Sequence, residues 1–407
     1  MNKLILLSAA LFASTCCNAQ YKNDNVLYKT VYTQDLCKEM QKQTGYLLLD
    51  VRSKGEYEDT SASGLNIGRF RDAKHINVND LGPQIGELAY YKDKPVFVYC
   101  SHSQRSRRAS KMLADSGFTN VININGGMTN ILQLTASDNA CVLSQLSTKN
   151  GYSIISAKDL CSKLSKGPGQ IFLIDVRDDS AYGHISRDAK VNAYGTFKSA
   201  KHITLAELQE GKVNIPKDKE IVLIDAFGDQ AAKAGEFLTK NNYPKVSVLI
   251  QGIDRLLFSY NNDLPCMANE YVSPVKYNII GPLQLKTVVE TKKDLIFLDV
   301  RSKEEFTNKH KNYWQNIGHL VDAINIPTAD LEDQIADIEK YKASWVVIYA
   351  FGSSTTAFEA ANILSAKGFT NVNVLHGGLF NVGWTAANIK GFSSLAALRV
   401  DVPAENQ

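Results

Sequence analysis

The chain writes one phrase three times, and that repetition limits its folds more than any other feature. Leu47-Leu48-Leu49-Asp50-Val51-Arg52 returns as Phe172-Leu173-Ile174-Asp175-Val176-Arg177 and as Ile296-Phe297-Leu298-Asp299-Val300-Arg301, at separations of 125 and 124 residues. A second echo follows at Gly117-Phe118-Thr119-Asn120-Val121, Asn242-Tyr243-Pro244-Lys245-Val246 and Gly368-Phe369-Thr370-Asn371-Val372. Each leads into a glycine turn, at Gly126-Gly127, Gly252 and Gly377-Gly378. A unit of roughly 110–120 residues can bury a core of its own, so the spacing predicts a row of domains and excludes a solenoid. The domains are expected at 26–140, 150–266 and 276–395, with linkers near 134–152 and 261–281, the second carrying Pro265 and Pro274.

Within each unit, short runs of Val, Ile and Leu alternate with longer stretches of helical period. Ala109, Met112 and Leu113 recur at spacings of three and four, as do Ala234, Phe237 and Leu238. That alternation predicts an α/β fold, a mainly parallel sheet covered by helices on both faces.

One residue stands out chemically. Cys100 ends the apolar run Val96-Phe97-Val98-Tyr99 and precedes the polar loop Ser101-His102-Ser103-Gln104, then Arg105-Ser106 and a helical stretch. Open α/β sheets place ligand sites at the C-terminal ends of their strands. A thiol there faces unpaired backbone N–H groups and the positive end of a helix dipole, and both favour thiolate. For this to matter, the sulfur must turn towards the loop and be reachable.

Asp-Val-Arg at a strand end, a cysteine some fifty residues on, four residues, Arg-Ser and a closing Gly-Gly turn together resemble the rhodanese family. The resemblance covers nearly all of the chain beyond its first residues. It implies three tandem rhodanese-like α/β domains and, for an active copy, a sulfurtransferase carrying sulfane sulfur as a cysteine persulfide. Cys100 would carry the sulfur, and Ser101, His102, Ser103, Gln104, Arg105 and Ser106 would surround the substrate. Arg105 is expected to orient a small anionic donor such as thiosulfate, and His102 to donate to it or idle in the loop. The acceptor would be a thiol or cyanide-like nucleophile, a thiol protein included; no cofactor or metal is called for. Four residues between Cys100 and Arg105 resemble sulfurtransferases, whereas five resemble the phosphatases of the same superfamily. The third copy keeps the family's Gly318-His319-Leu320-Val321-Asp322-Ala323-Ile324-Asn325 pattern; the first has Arg69 where the histidine is usual.

The other copies look silent. The second replaces the cysteine loop with Asp225-Ala226-Phe227-Gly228-Asp229-Gln230, and the third with Ala350-Phe351-Gly352-Ser353-Ser354-Thr355-Thr356. Asp50 and Arg52 recur in silent copies too, which makes them architectural; Arg52 is expected to pair with Glu56. Arg107, Arg108 and Lys111 sit near a helix N-terminus, unfavourable for cations, and read either as anion steering or as a solvated face.

The remaining cysteines follow the repeat. Cys37 and Cys161 precede the Asp-Val-Arg phrase, and Cys141 and Cys266 follow the glycine turn; the third copy has neither position. Residues that come and go together suit bonded partners, so bridges Cys37–Cys141 and Cys161–Cys266 are expected, with four small buried hydrophobes as the alternative. The start of the chain fits, because Lys3 precedes an apolar run from Leu4 to Ala13 and small residues lead to Ala19. That reads as a signal peptide over 1–19 and predicts export to the periplasm or outside, ahead of a lipoprotein using Cys16 or Cys17. Lys and Arg number 45 against 42 Asp and Glu, which gives no reason to expect nucleic acid as a partner, and no later run could span a membrane. A non-catalytic scaffold, or a thiol redox sensor at Cys100, is the competing reading.

Overall fold

The structure is a computed structural model that describes residues 21, 23–134, 136–167, 169–259 and 264–404. The signal segment expected at 1–19 lies outside the described residues. In the first domain, strands β1 (Lys29–Tyr32), β2 (Leu47–Asp50), β3 (Lys74–His75), β4 (Val96–Tyr99) and β5 (Val121–Asn125) form one parallel sheet in the order β1-β5-β4-β2-β3. The second domain repeats this order with Ser153–Ile155, Val246–Leu249, Glu220–Ile224, Ile171–Asp175 and Lys201–His202, and the third with its own five strands. The middle strand β4 is buried at every residue, as its unbroken apolar run requires.

Each domain also closes with a short antiparallel ribbon. Arg69–Phe70 pairs with Leu146–Ser147, Thr196–Phe197 with Tyr271–Val272, and His319–Leu320 with Arg399–Val400. The domains therefore run past the expected ends at 140, 266 and 395, and the stretches expected as linkers are largely folded. Backbone groups at residues 69–70 need partners, and the returning chain supplies them. Two disulfides, Cys37–Cys141 and Cys161–Cys266, with Cα separations of 6.0 and 5.2 Å, hold an early helix of the first and of the second domain against this return. The third domain has no such clasp.

The repeated Asp-Val-Arg phrase builds a buried ion pair in every copy. Arg52 donates through Nε and Nη2 to Asp50 and through Nη2 to the Gly68 carbonyl at 2.8 Å, and both charged residues are 0% exposed. Arg177 and Arg301 do the same with Asp175 and Asp299. Arg52 does not pair with Glu56 as expected: the aspartate two residues back already meets the guanidinium fork, the geometry that makes such a pair tolerable in a core.

The domains are joined unequally. The second and third share one continuous apolar cluster that includes Ile253, Leu257, Ile279 and Val374. Against the first domain the contacts are polar: Arg107 Nη1 to Asn388 at 2.9 Å, Trp384 Nε1 to the His102 carbonyl at 3.0 Å, Arg255 Nη2 to Asn130 at 3.1 Å, and Gly64 N to Asp229 at 2.9 Å. Among the described residues no helix is long and apolar enough to cross a membrane.

Candidate active site

Cys100 sits at the C-terminal end of β4, where the chain turns into helix α1 (Gln104–Asp115). The turn is clamped from the side. Met128 N donates to the Cys100 carbonyl at 2.9 Å and Thr129 N to that of Ser101 at 3.1 Å, both from helix α2 (Gly127–Ile131). Gly127 makes this possible, because its φ is +59° and a Cβ there would strike the Cys100 carbonyl. The same clamp recurs from Ile253 N to Asp225 and from Leu379 N to Ala350, so the loop's path belongs to the fold and not to the cysteine.

The second domain shows what this loop receives. Asp225 occupies the cysteine's place, and its carboxylate accepts hydrogen bonds from the backbone N–H groups of Gly228 (2.5 Å), Gln230 (2.7 Å) and Ala231 (3.2 Å). Three amides thus converge on one anion carried by the chain itself. Burial pushes this carboxyl up to about 6 against the pull of those bonds. The corresponding positions in the first domain are Ser103, Arg105 and Ser106, and Cys100 stands where Asp225 does. Ser103 adopts the left-handed conformation (φ 78°) where the second domain uses Gly228, and its Oγ accepts from Gly126 N.

The sulfur is turned towards the loop, with Sγ 3.6 Å from Ser106 Oγ. It is also covered: Cys100 is 1% exposed, and it is the free cysteine among the described residues. Ser106 Oγ donates to Asn123 Oδ1 at 2.6 Å, so its oxygen is left to accept the thiol proton. Asn123 Nδ2 then donates to Asn125 Oδ1 at 3.2 Å, which also accepts from Arg107 Nη2 at 2.5 Å. A buried polar chain therefore runs from the thiol to Arg107, which goes on to Asn388 in the third domain.

Several expected roles change here. Arg107 is neither a steering cation nor on a solvated face: its Nε donates to both carboxylate oxygens of Asp24 at 3.0 Å and its guanidinium lies 4.0 Å from the Tyr21 ring centroid. A helix N-terminus tolerates this cation because its charge is met by a carboxylate. Arg105 is not held out for an anion. Its Nη1 and Nη2 donate to the two oxygens of Glu56 at 2.6 and 2.7 Å, and Nη2 also reaches Ser101 Oγ at 2.8 Å. Glu56 itself is fixed by a capping box with Ser53 at the start of helix Lys54–Glu58. Burial raises the Glu56 carboxyl, but the Arg105 and Ser53 hydrogen bonds outweigh it and hold it at about 2. Glu56 thus meets Arg105 and not Arg52, and the Ser-x-x-Glu pattern marks it as sitting at a helix start.

His102 turns towards the other domains. Its Nε2 lies 3.2 Å from Thr129 Oγ1, and burial, then the Arg255 and Arg105 charges, push it down to about 4. It is a neutral imidazole at neutral pH. With exposed Gln104 it lines a cavity of about 200 Å³ completed by Arg255 of the second domain and Trp384 of the third. Arg108 and Lys111 stay exposed, bonded to Asn79 and Asp115.

A family model for the rhodanese-like domain matches residues 33–134, 156–257 and 282–386. The chain belongs to the rhodanese-like domain family. Its rhodanese-like repeats are similar to the uncharacterized protein YqhL of Bacillus subtilis, 33% identical over 103 residues, which is 24% of this chain and 74% of that protein. They are also similar to the tRNA uridine(34) hydroxylase of Cytophaga hutchinsonii, 33% identical over 94 residues, 22% of this chain and 28% of that enzyme. The match thus spans little more than a quarter of the hydroxylase. Among solved structures, thiosulfate sulfurtransferase from Pseudomonas aeruginosa aligns over 86% of this chain and 66% of its own length at 14% identity, with a TM-score of 0.21.

Proposed function

We propose that the first rhodanese-like domain is an exported sulfurtransferase that carries sulfane sulfur as a persulfide on Cys100. The observation that carries this reading is the pairing of a free thiol in one loop with the same loop holding a carboxylate on three backbone amides in the next domain. Such a cradle stabilises negative charge on a sulfur wherever it develops. In the first half-reaction the Cys100 thiolate attacks the outer sulfur of thiosulfate, forming the S–S bond as sulfite leaves with the bonding pair. In the second, a thiolate or cyanide attacks the outer sulfur of the persulfide and Cys100 leaves as thiolate.

The described arrangement is a resting one. Ser106 directs its proton to Asn123, so the hydroxyl must rotate to donate to a thiolate, and the 101–106 loop must open for a donor to reach a sulfur 1% exposed. Export is supported by the leader-like start and by two disulfides, which persist in oxidising compartments. The cover over the sulfur favours a second reading, a non-catalytic scaffold or slow redox sensor. Intact mass after incubation with thiosulfate separates the two. The wild type is expected to gain one sulfur atom that a thiol reductant removes, and Cys100→Ser to gain none; an unchanged mass in both supports the scaffold.

A further inference from the structure

The loop after the central strand has three successive carbonyls to settle, and the copies settle the last one differently. The first two are clamped alike in every domain by the helix after the glycine turn, as at Cys100 and Ser101. In the third domain the next carbonyl, that of Gly352, accepts from Ser354 N at 2.8 Å inside the loop. In the first domain that position is His102, and its donor is the indole Nε1 of Trp384 in the third domain, at 3.0 Å. The thiol loop is thus closed from outside its own fold.

Trp384 does not act alone. It lies on the helix Gly378–Asn388, where the residues three and four positions on share its face. The Ala387 carbonyl accepts from Asn125 Nδ2 at 3.0 Å, and Asn388 Oδ1 accepts from Arg107 Nη1 at 2.9 Å. Both partners belong to the buried polar chain behind the sulfur, and Arg107 N also donates to the Ser103 carbonyl at 3.0 Å. One helix face therefore meets the loop directly at His102 and again through Arg107. Trp384, Asn388 and Asn125 are all buried, which shields these bonds from water. The loop nonetheless has room to move, because a cavity of about 200 Å³ separates His102 and Gln104 from Phe380 and Asn381.

We infer that this helix face is a latch on the Cys100 loop, and that the thiol becomes reachable when Trp384 releases the His102 carbonyl. An indole N–H can only donate, and one left without an acceptor in a buried site carries an uncompensated desolvation cost, which keeps the closed state the populated one. Opening is then a local event at the junction of the first and third domains that needs no unfolding of the sheet. A domain without a cysteine sets how often its neighbour's sulfur meets solvent. The latch governs access to the thiol whatever chemistry follows, so its test reads no sulfur transfer.

Alkylation of Cys100 by iodoacetamide in the folded full chain, followed by mass on the peptide that carries it, measures this access. With opening fast relative to alkylation, the rate follows the open fraction. Trp384→Phe keeps a ring in place and removes the donor, and should speed the reaction by about threefold to tenfold, the worth of one hydrogen bond. Asn388→Ala takes the acceptor from Arg107 and should speed it by about twofold or more; it decides alone if Trp384→Phe fails to fold. Lys390→Ala cuts an exposed ion pair with Asp35 that joins the same two domains without touching the loop, and should leave the rate at the wild-type value. Amide exchange at residues 101–106 should quicken in Trp384→Phe while that of β4 does not. A wild-type rate in either of the first two variants, equal acceleration in Lys390→Ala, or exchange that quickens equally in β4 would each overturn the latch, the last two by marking a general loosening of the domains or of the fold. Any of these leaves the persulfide reading to its own mass measurement.

Discussion

The loops after the central strands of the first and second domains take the same path and end differently. In one, three amides close on Asp225; in the other the matching position holds a thiol whose proton goes to Ser106. The second loop is satisfied by its own side chain and has no use for an external anion. The first carries a neutral thiol there in place of a carboxylate, and under the proposed function its amides would meet charge only on a thiolate. A duplicated loop therefore keeps its path when the side chain at its centre changes from thiol to carboxylate.

Moving that side chain across is the severest test. Cys100→Asp should abolish sulfur uptake and lower transfer from thiosulfate by roughly two orders of magnitude or more while the domain stays folded, as turnover and circular dichroism would show. A variant that still transfers sulfur would break the comparison. Next in size is a pH effect. Asp225 binds its proton more tightly folded than unfolded, from 3.8 to about 6, so its contribution is greatest below about pH 4 and is lost as pH rises through about 6. Relative to Asp225→Asn, wild type should lose on the order of 3 kcal/mol across that window, measured by denaturant unfolding.

Glu56 runs the opposite way. Its folded value of about 2 lies below 4.5, so its contribution is present above about pH 4.5 and lost as pH falls through about 2. Glu56→Gln should cost about 1–2 kcal/mol at neutral pH, discounted because Arg105 is 32% exposed, with the gap closing in acid. The smallest effect is at Ser103. Ser103→Gly borrows the second domain's residue and should change stability by about 1 kcal/mol or less, relief of the left-handed backbone offsetting the lost bond to Gly126. Ser103→Ala keeps the strain and loses the bond, and should be the less stable of the two by thermal unfolding.

The domain row, the parallel sheets and the position of the cysteine at a strand end were legible because periodicity and repetition report backbone geometry directly. The partners of charged side chains were not. Glu56 finds Arg105 and Arg107 finds Asp24, and a pairing across 49 or 83 residues leaves no local pattern to read; Arg52 finds Asp50 only two residues away, in a strand-end geometry that spacing alone does not reveal. The ribbons at the domain ends were missed for a related reason: two-residue strands such as Leu146–Ser147 are too short to show alternation, and Pro265 and Pro274 around Tyr271–Val272 suggest a linker. Contacts between copies were invisible, since a repeat describes each unit and says nothing of how the units face one another.

The indole of Trp384 donates to the carbonyl of His102, 282 positions earlier in the chain, inside the loop that follows the thiol. The copy without a cysteine is thereby a constraint on the loop of the copy that has one. Mutational drift in the third domain is not neutral at this spot, and a chain cut after the second domain would retain each atom of the sulfur centre while losing the brace behind it.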